Sequence, residues 1–178
     1  MTDETAPFWK QITGAALAQG DLLPKCLVPQ FEPEYGTGDA EAIQDVPTGD
    51  IDLIIVTQSC DLENDRVVLV ALCPIHTLDV FEETNPHFKQ KGRWEEVRKG
   101  RREGLHLLGS PEEPENNRKS LVVDFGQIFS LPPQYLRHHA EQLGGRWRLS
   151  SPYLEHFSQA FARYFMRVGL PSPIPPFK

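Results

Sequence analysis

Residues 52–76 read DLIIVTQSCDLENDRVVLVALCPIH and decide the fold. Leu53 to Thr57 and Val67 to Cys73 are continuous apolar runs rich in Ile and Val. Runs of this length and composition fit strands covered on both faces. LENDR between them supplies turn residues, with Asp61 able to start the turn through its own backbone. A parallel crossover needs a dozen or more residues between its strands, and this stretch leaves no room for one. The expectation is an antiparallel hairpin at the centre of an α+β, mainly β, fold.

The flanking chain adds short elements. PFWKQITGAALAQ, residues 7–19, has Phe8, Ile12, Ala15 and Ala16 at helical spacing with Gly20 as a stop, and predicts a short helix. GDLLPKCLVPQF reads as extended, with Pro24 and Pro29 pointing to an edge strand or a bulge. Residues 30–50 are acidic and rich in Gly and Pro, and read as a long loop. Residues 81–103 form a charged segment, part helix; LHLLG is a short strand; SPEEPENNRKS is a loop. SLVVDFGQIFSL reads as a strand pair or bent strand with Gly126 at the bend. PPQYLRHHAEQLG holds a helical turn and GRWRLS a last strand. The closing helix, residues 152–168, has Ser151 as cap, Pro152 at its first position, and Gly169 and Pro171 as stops. Its stripe of Leu154, Phe157, Phe161, Phe165 and Val168 stabilises the fold by roughly 1.5–3 kcal/mol per large side chain when buried. PSPIPPFK at the end cannot be helical. Short strands, one long crossing region and a terminal helix suggest a small barrel over residues 20–150 within one domain of 178 residues.

Composition narrows the class. Apolar content of 39% and charged content of 24% suit a soluble globular chain. No apolar run reaches the length of a membrane span, so no membrane partner is expected. The opening Met-Thr-Asp-Glu-Thr leads into no signal-peptide core, and the cysteine count of 3 is odd. Both features point to a reducing, cytoplasmic setting. Net charge is -7, which repels nucleic acid overall. One window runs the other way: Lys89, Lys91, Arg93, Arg98, Lys99, Arg101 and Arg102 stand against Glu95 and Glu96. Trp94 lies among these cations, a pattern that suits single-stranded nucleic acid through stacking and phosphate pairing. A solvated loop-helix is the plainer reading.

The central hairpin carries three further candidates. Gln58-Ser59-Cys60 resembles a nucleophile loop, but Asp61 follows and no His lies upstream of Cys60. A neighbouring carboxylate also opposes thiolate formation. Cys60, Cys73 and His76 have zinc-type chemistry, yet lack a Cys-x2-Cys pair and a clear fourth ligand, so no metal and no cofactor are expected. Gln58 and Asp61 suit recognition of base edges or a partner backbone at the rim. His138 and His139 point apart in any regular structure, which disfavours a shared metal.

Three stretches, in order, resemble the PemK/MazF-like toxins, which are SH3-like barrels. Gly20-Asp21-Leu22-Leu23 is similar to their opening strand, and Leu53-Ile54-Ile55-Val56-Thr57 to their second. Gln127 to Leu131, then Arg148-Leu149-Ser150 and the helix ending Val168-Gly169-Leu170, are similar to their closing elements. The resemblance implies a metal-independent cut of single-stranded RNA, with Thr57 at the family's Ser/Thr position. The family's Arg-Pro before the second strand is Ile51-Asp52 here, which removes the charge that stabilises the reacting phosphate. The expectation is therefore a binding or regulatory accessory of a prokaryotic stress or antiviral defence system, CRISPR-associated systems included. Its implied partners are proteins of that system, single-stranded RNA or other nucleic acid, and a second copy of the chain. An active RNA endonuclease toxin using Thr57 and a displaced basic residue is the alternative; a zinc-stabilised interaction protein is the second.

Overall fold

The structure is a computed structural model and describes residues 7–37 and 45–166. The first six residues, part of the acidic loop, and Val168, Gly169, Pro171 and the Pro-rich tail lie outside the described residues. The described chain is α+β, mainly β, and every strand pairing in it is antiparallel.

The central apolar run forms β3 (Thr48–Ile55), paired with β4 (Val70–Thr77) in the register Ile54 opposite Cys73. Both faces of β3 are covered over residues 53–55, which explains the unbroken hydrophobicity there. Leu53 and Ile55 join one core cluster with Leu72, Leu136 and Ala140. Ile54 and Val56 join a second with Trp9, Phe125 and Phe157. β4 also pairs with β7 (Phe129–Leu131) through residues 70–72 and with β6 (Leu121–Asp124) through residues 75–77. Pro74, which has no N–H, marks the changeover. Gly126 lies in the turn between β6 and β7, its N–H bonded to Asp124 Oδ1 at 2.8 Å. β5 (Leu105–Leu108) lies beyond β6 and β2 (Leu22–Pro29) beyond β3, so the order is β2-β3-β4-β6-β5 with β7 alongside β4.

β2 (Leu22–Pro29) is an edge strand with a bulge between Leu23 and Cys26, as its prolines predict. Lys25 takes φ 53° there, and its N–H donates to Asp52 Oδ1 at 2.8 Å.

Three expectations need correction. The segment read as an N-terminal helix is instead β1 (Trp9–Ile12), paired with β8 (Arg146–Leu149). Tertiary partners override the helical spacing: Trp9 is buried and its indole donates to the Gly109 carbonyl at 2.7 Å. The Gly14 and Ala16 carbonyls accept from Arg146 and are unavailable to a helix. The central hairpin is not tight either. Residues Ser59–Glu63 form α1, which carries Leu62 into the first core cluster, and β4 starts at Val70 rather than Val67. Cys60 therefore sits in a helical turn, not at the end of a strand. Finally, Ser151 does not cap the closing helix. Helix α5 (Tyr153–Phe165) has Pro152 at its cap position and no side-chain cap.

The helical turn expected after Pro133 is a full helix, α4 (Pro133–Gln142), docked on β2 through Tyr135, whose hydroxyl accepts from Leu27 N–H at 2.7 Å. The charged segment forms α2 (Leu78–Thr84), a 3-10 turn over Pro86–Lys89, and α3 (Arg93–Arg98) around a third cluster of Phe81, Phe88 and Val97.

The two sheets meet, but among the described residues no ladder closes them into a barrel. β8 touches the start of β2 through a single bridge between Arg148 and Asp21. A buried ion triad fixes this junction. Asp21 Oδ2 accepts from Arg146 Nε and from Arg148 Nη2, each at 2.9 Å, and Arg148 Nε meets the other oxygen. Gly20, at φ 82°, has Leu154 and Leu149 so close that a Cβ would lie 2.9 Å and 3.0 Å from their side chains.

Candidate nucleic-acid interface

Thr57 ends the β3 run, and its hydroxyl accepts from the Ala71 N–H at 2.8 Å, tying β3 to β4. Gln58 and Asp61 follow at the start of α1, where Cys60 is exposed with its sulfur 3.7 Å from Gln58 Oε1. Asp52 spends one carboxylate oxygen on the bulge of β2. The groove beside it is lined by Asp50, Asp52, Asp124 and His76, with no Lys or Arg among the described residues of its walls. Such a groove repels phosphate. Neither Thr57 nor Asp52 has a guanidinium partner in the described hydrogen bonds or ion pairs.

The zinc candidates are spread apart. Cys73 is buried opposite Ile54, and burial pushes its thiol up to about 12. Burial also pushes the His76 imidazole down. Among the described residues no three His, Cys, Asp or Glu side chains are placed to share a metal.

The basic window folds as one unit. Trp94 packs on Phe88, with ring centroids 4.7 Å apart, and on Phe81 at 5.7 Å. Its indole donates to Glu82 Oε1 at 2.7 Å, while Arg118 reaches the same oxygen at 2.8 Å. The Arg118 guanidinium holds the Glu82 carboxyl below the usual carboxylate range. Trp94 is thus an anchor of the segment, partly buried rather than a free stacking platform.

That anchoring leaves the cations outside. Glu95 takes Arg98 at 2.7 Å and Lys99 at 3.1 Å, and the Arg98 hydrogen bond leads in holding its carboxyl at about 2. Arg93 contacts Glu96 at 3.4 Å. Lys89, Lys91, Arg101 and Arg102 make no ion pair among the described residues, although the Lys89 charge lies near enough to Glu82 to help hold its carboxyl down. The Arg102 guanidinium lies 5.6 Å from the Phe88 ring centroid and 3.2 Å from His87 Nε2.

Arg98 and Arg102 also line a cleft of about 530 Å³ between this segment, β5 and α5. Its other wall was not legible as a site: His156, Gln159, Ala160 and Arg163 come from α5. The sequence signal is the three- and four-residue spacing of His156, Gln159 and Arg163, a polar stripe beside the Phe stripe. His106 on β5 forms part of the floor, its ring 6.0 Å from Phe125 and 5.9 Å from Phe157. Thr57, Gln58 and Asp61 do not reach this cleft.

Comparison with known proteins returns no matching family model, curated protein or solved structure.

Proposed function

We propose that the chain is a nucleic-acid-binding accessory module of PemK/MazF-like type, serving a prokaryotic stress or antiviral defence system. The observation that carries the reading is the set of four cations, Lys89, Lys91, Arg101 and Arg102, that form no ion pair among the described residues of an otherwise acidic chain. Single-stranded RNA is the favoured ligand, since uncompensated Lys and Arg gain affinity by releasing counterions from a phosphate backbone. Two features support an open version of an SH3-like barrel: the Asp21–Arg148 bridge between the sheets and the Trp9 indole reaching Gly109 beyond β5.

Binding without efficient cleavage is favoured at the Thr57 position. The Thr57 hydroxyl is occupied by backbone, and the nearby groove is acidic. The test is a random single-stranded RNA pool offered to the purified protein. Retention of the pool without new ends is expected. Cleavage that disappears in Thr57→Val selects the toxin reading instead, and failure to retain RNA at low salt removes the nucleic-acid role.

A further inference from the structure

We infer that the cleft between α5 and the basic segment is a nucleotide site, holding one phosphate and one base of a single-stranded nucleic acid or a free nucleotide. The inference rests on the proposed nucleic-acid role and adds to it a bounded pocket with a second wall. Its volume of about 530 Å³ falls in the range of small-molecule sites, roughly 300–1,000 Å³.

The two ends of the cleft differ in chemistry. Arg98 and Arg102 come from one side and Arg163 from the other. Arg98 shares its charge with Glu95, whereas Arg102 and Arg163 have no carboxylate partner among the described residues. Arginines lining the cleft from both walls, with Gln159 and His156 in the same lining, suit a phosphate group, which accepts several charge-assisted hydrogen bonds at once. The inner end is aromatic. Phe125 and Tyr164 line it with His106, and the Phe125 ring is fixed by Phe161 in edge contact at 5.4 Å. Gly104, at φ 88°, lets the Tyr164 ring approach its backbone, a Cβ there lying only 3.1 Å from the ring.

His106 gives this end its polarity. No fully buried side-chain nitrogen or oxygen among the described residues lacks a hydrogen-bond partner. The His106 ring makes no hydrogen bond, so its nitrogens open onto the cleft. Burial, with His156 second, pushes its pKa down to about 4. Near neutral pH the ring is uncharged and offers one donor and one acceptor, which matches a base edge or a sugar hydroxyl. A base stacked on the aromatic wall and a phosphate between Arg102 and Arg163 use the cationic and imidazole groups of the cleft, while Glu103, which also lines it, is exposed to solvent.

Arg163 and His156 are exposed on α5, so their substitution leaves the fold intact. The experiment titrates the full chain with the four nucleoside 5′-monophosphates, with inorganic phosphate, and with a 5′-phosphorylated and a 5′-hydroxyl single-stranded oligonucleotide. A nucleoside monophosphate should bind, and Arg163→Gln and His156→Gln should each weaken it by about tenfold. His106→Leu should weaken the nucleotide and leave inorganic phosphate unchanged. Preference for the 5′-phosphorylated oligonucleotide over the monophosphates identifies a strand end as the natural ligand; the reverse identifies a free nucleotide. Monophosphate binding that is absent, or indifferent to Arg163 and His156, overturns the site. If RNA is still retained through Lys89, Lys91 and Arg101 in that case, the nucleic-acid role stands without it.

Discussion

Asp21 and Arg146, 125 residues apart, form an ion pair at 2.9 Å in which neither side chain is exposed to solvent. The pair does what a missing ladder does not: it joins β2 to β8, and through Gly14 and Ala16 it shapes the loop after β1. Buried ion pairs add little over apolar packing, but losing one partner strands the other charge. Asp21→Asn should therefore lower stability by about 3–5 kcal/mol, measured by denaturant unfolding. A loss below about 1 kcal/mol would mean that the carbonyls alone satisfy Arg146.

Thr57 separates a structural from a catalytic reading. Thr57→Val keeps the side-chain shape and removes the acceptor for the Ala71 N–H. Its expected cost is about 1–3 kcal/mol, because a backbone donor is left unpaired beside β4. RNA retention should be unchanged once the variant is folded. Loss of binding or of a nuclease activity at unchanged stability would contradict that assignment.

His106 should make the protein acid-sensitive. Its folded pKa of about 4 lies below the ordinary 6.5, so the unfolded chain binds the proton first as pH falls. The stabilisation is complete above pH 6.5 and is lost as pH drops toward 4. The interval corresponds to about 3 kcal/mol. His156, Arg98, Arg102, Arg163 and Glu103 line the same cleft, and four of these five oppose protonation when they are cationic. Unfolding free energy measured from pH 7.5 to 4.5 should therefore fall less in His106→Gln than in the unsubstituted chain. Parallel curves would show that His106 is protonated in the folded state.

The strands were legible where period and composition agreed. Leu53 to Ile55 announced a strand covered on both faces, and Pro24 and Pro29 announced the bulged edge. The N-terminal segment misled because Phe8, Ile12, Ala15 and Ala16 fit a helix locally, whereas the hydrogen-bond partners of Trp9 and Arg146 are a hundred residues or more away. Leu62 was the one sign that LENDR continues a helix: an apolar side chain in a polar turn needs a core to enter. The basic window was legible as charge, but its glutamates could not be assigned to Arg98, Lys99 and Arg93 before the turn of α3 was known. The α5 wall of the cleft stayed hidden because its Phe stripe explains the helix without it.

The most direct measurement is the salt dependence of single-stranded RNA binding by Lys89→Gln, Lys91→Gln, Arg101→Gln and Arg102→Gln combined, beside the unsubstituted chain. Each phosphate contact on a single strand contributes about 0.7 to the slope of log K against log salt. The combined variant should remain folded and lose about 2–3 from that slope, together with most of its affinity at low salt. A slope and affinity equal to those of the unsubstituted chain would contradict that expectation.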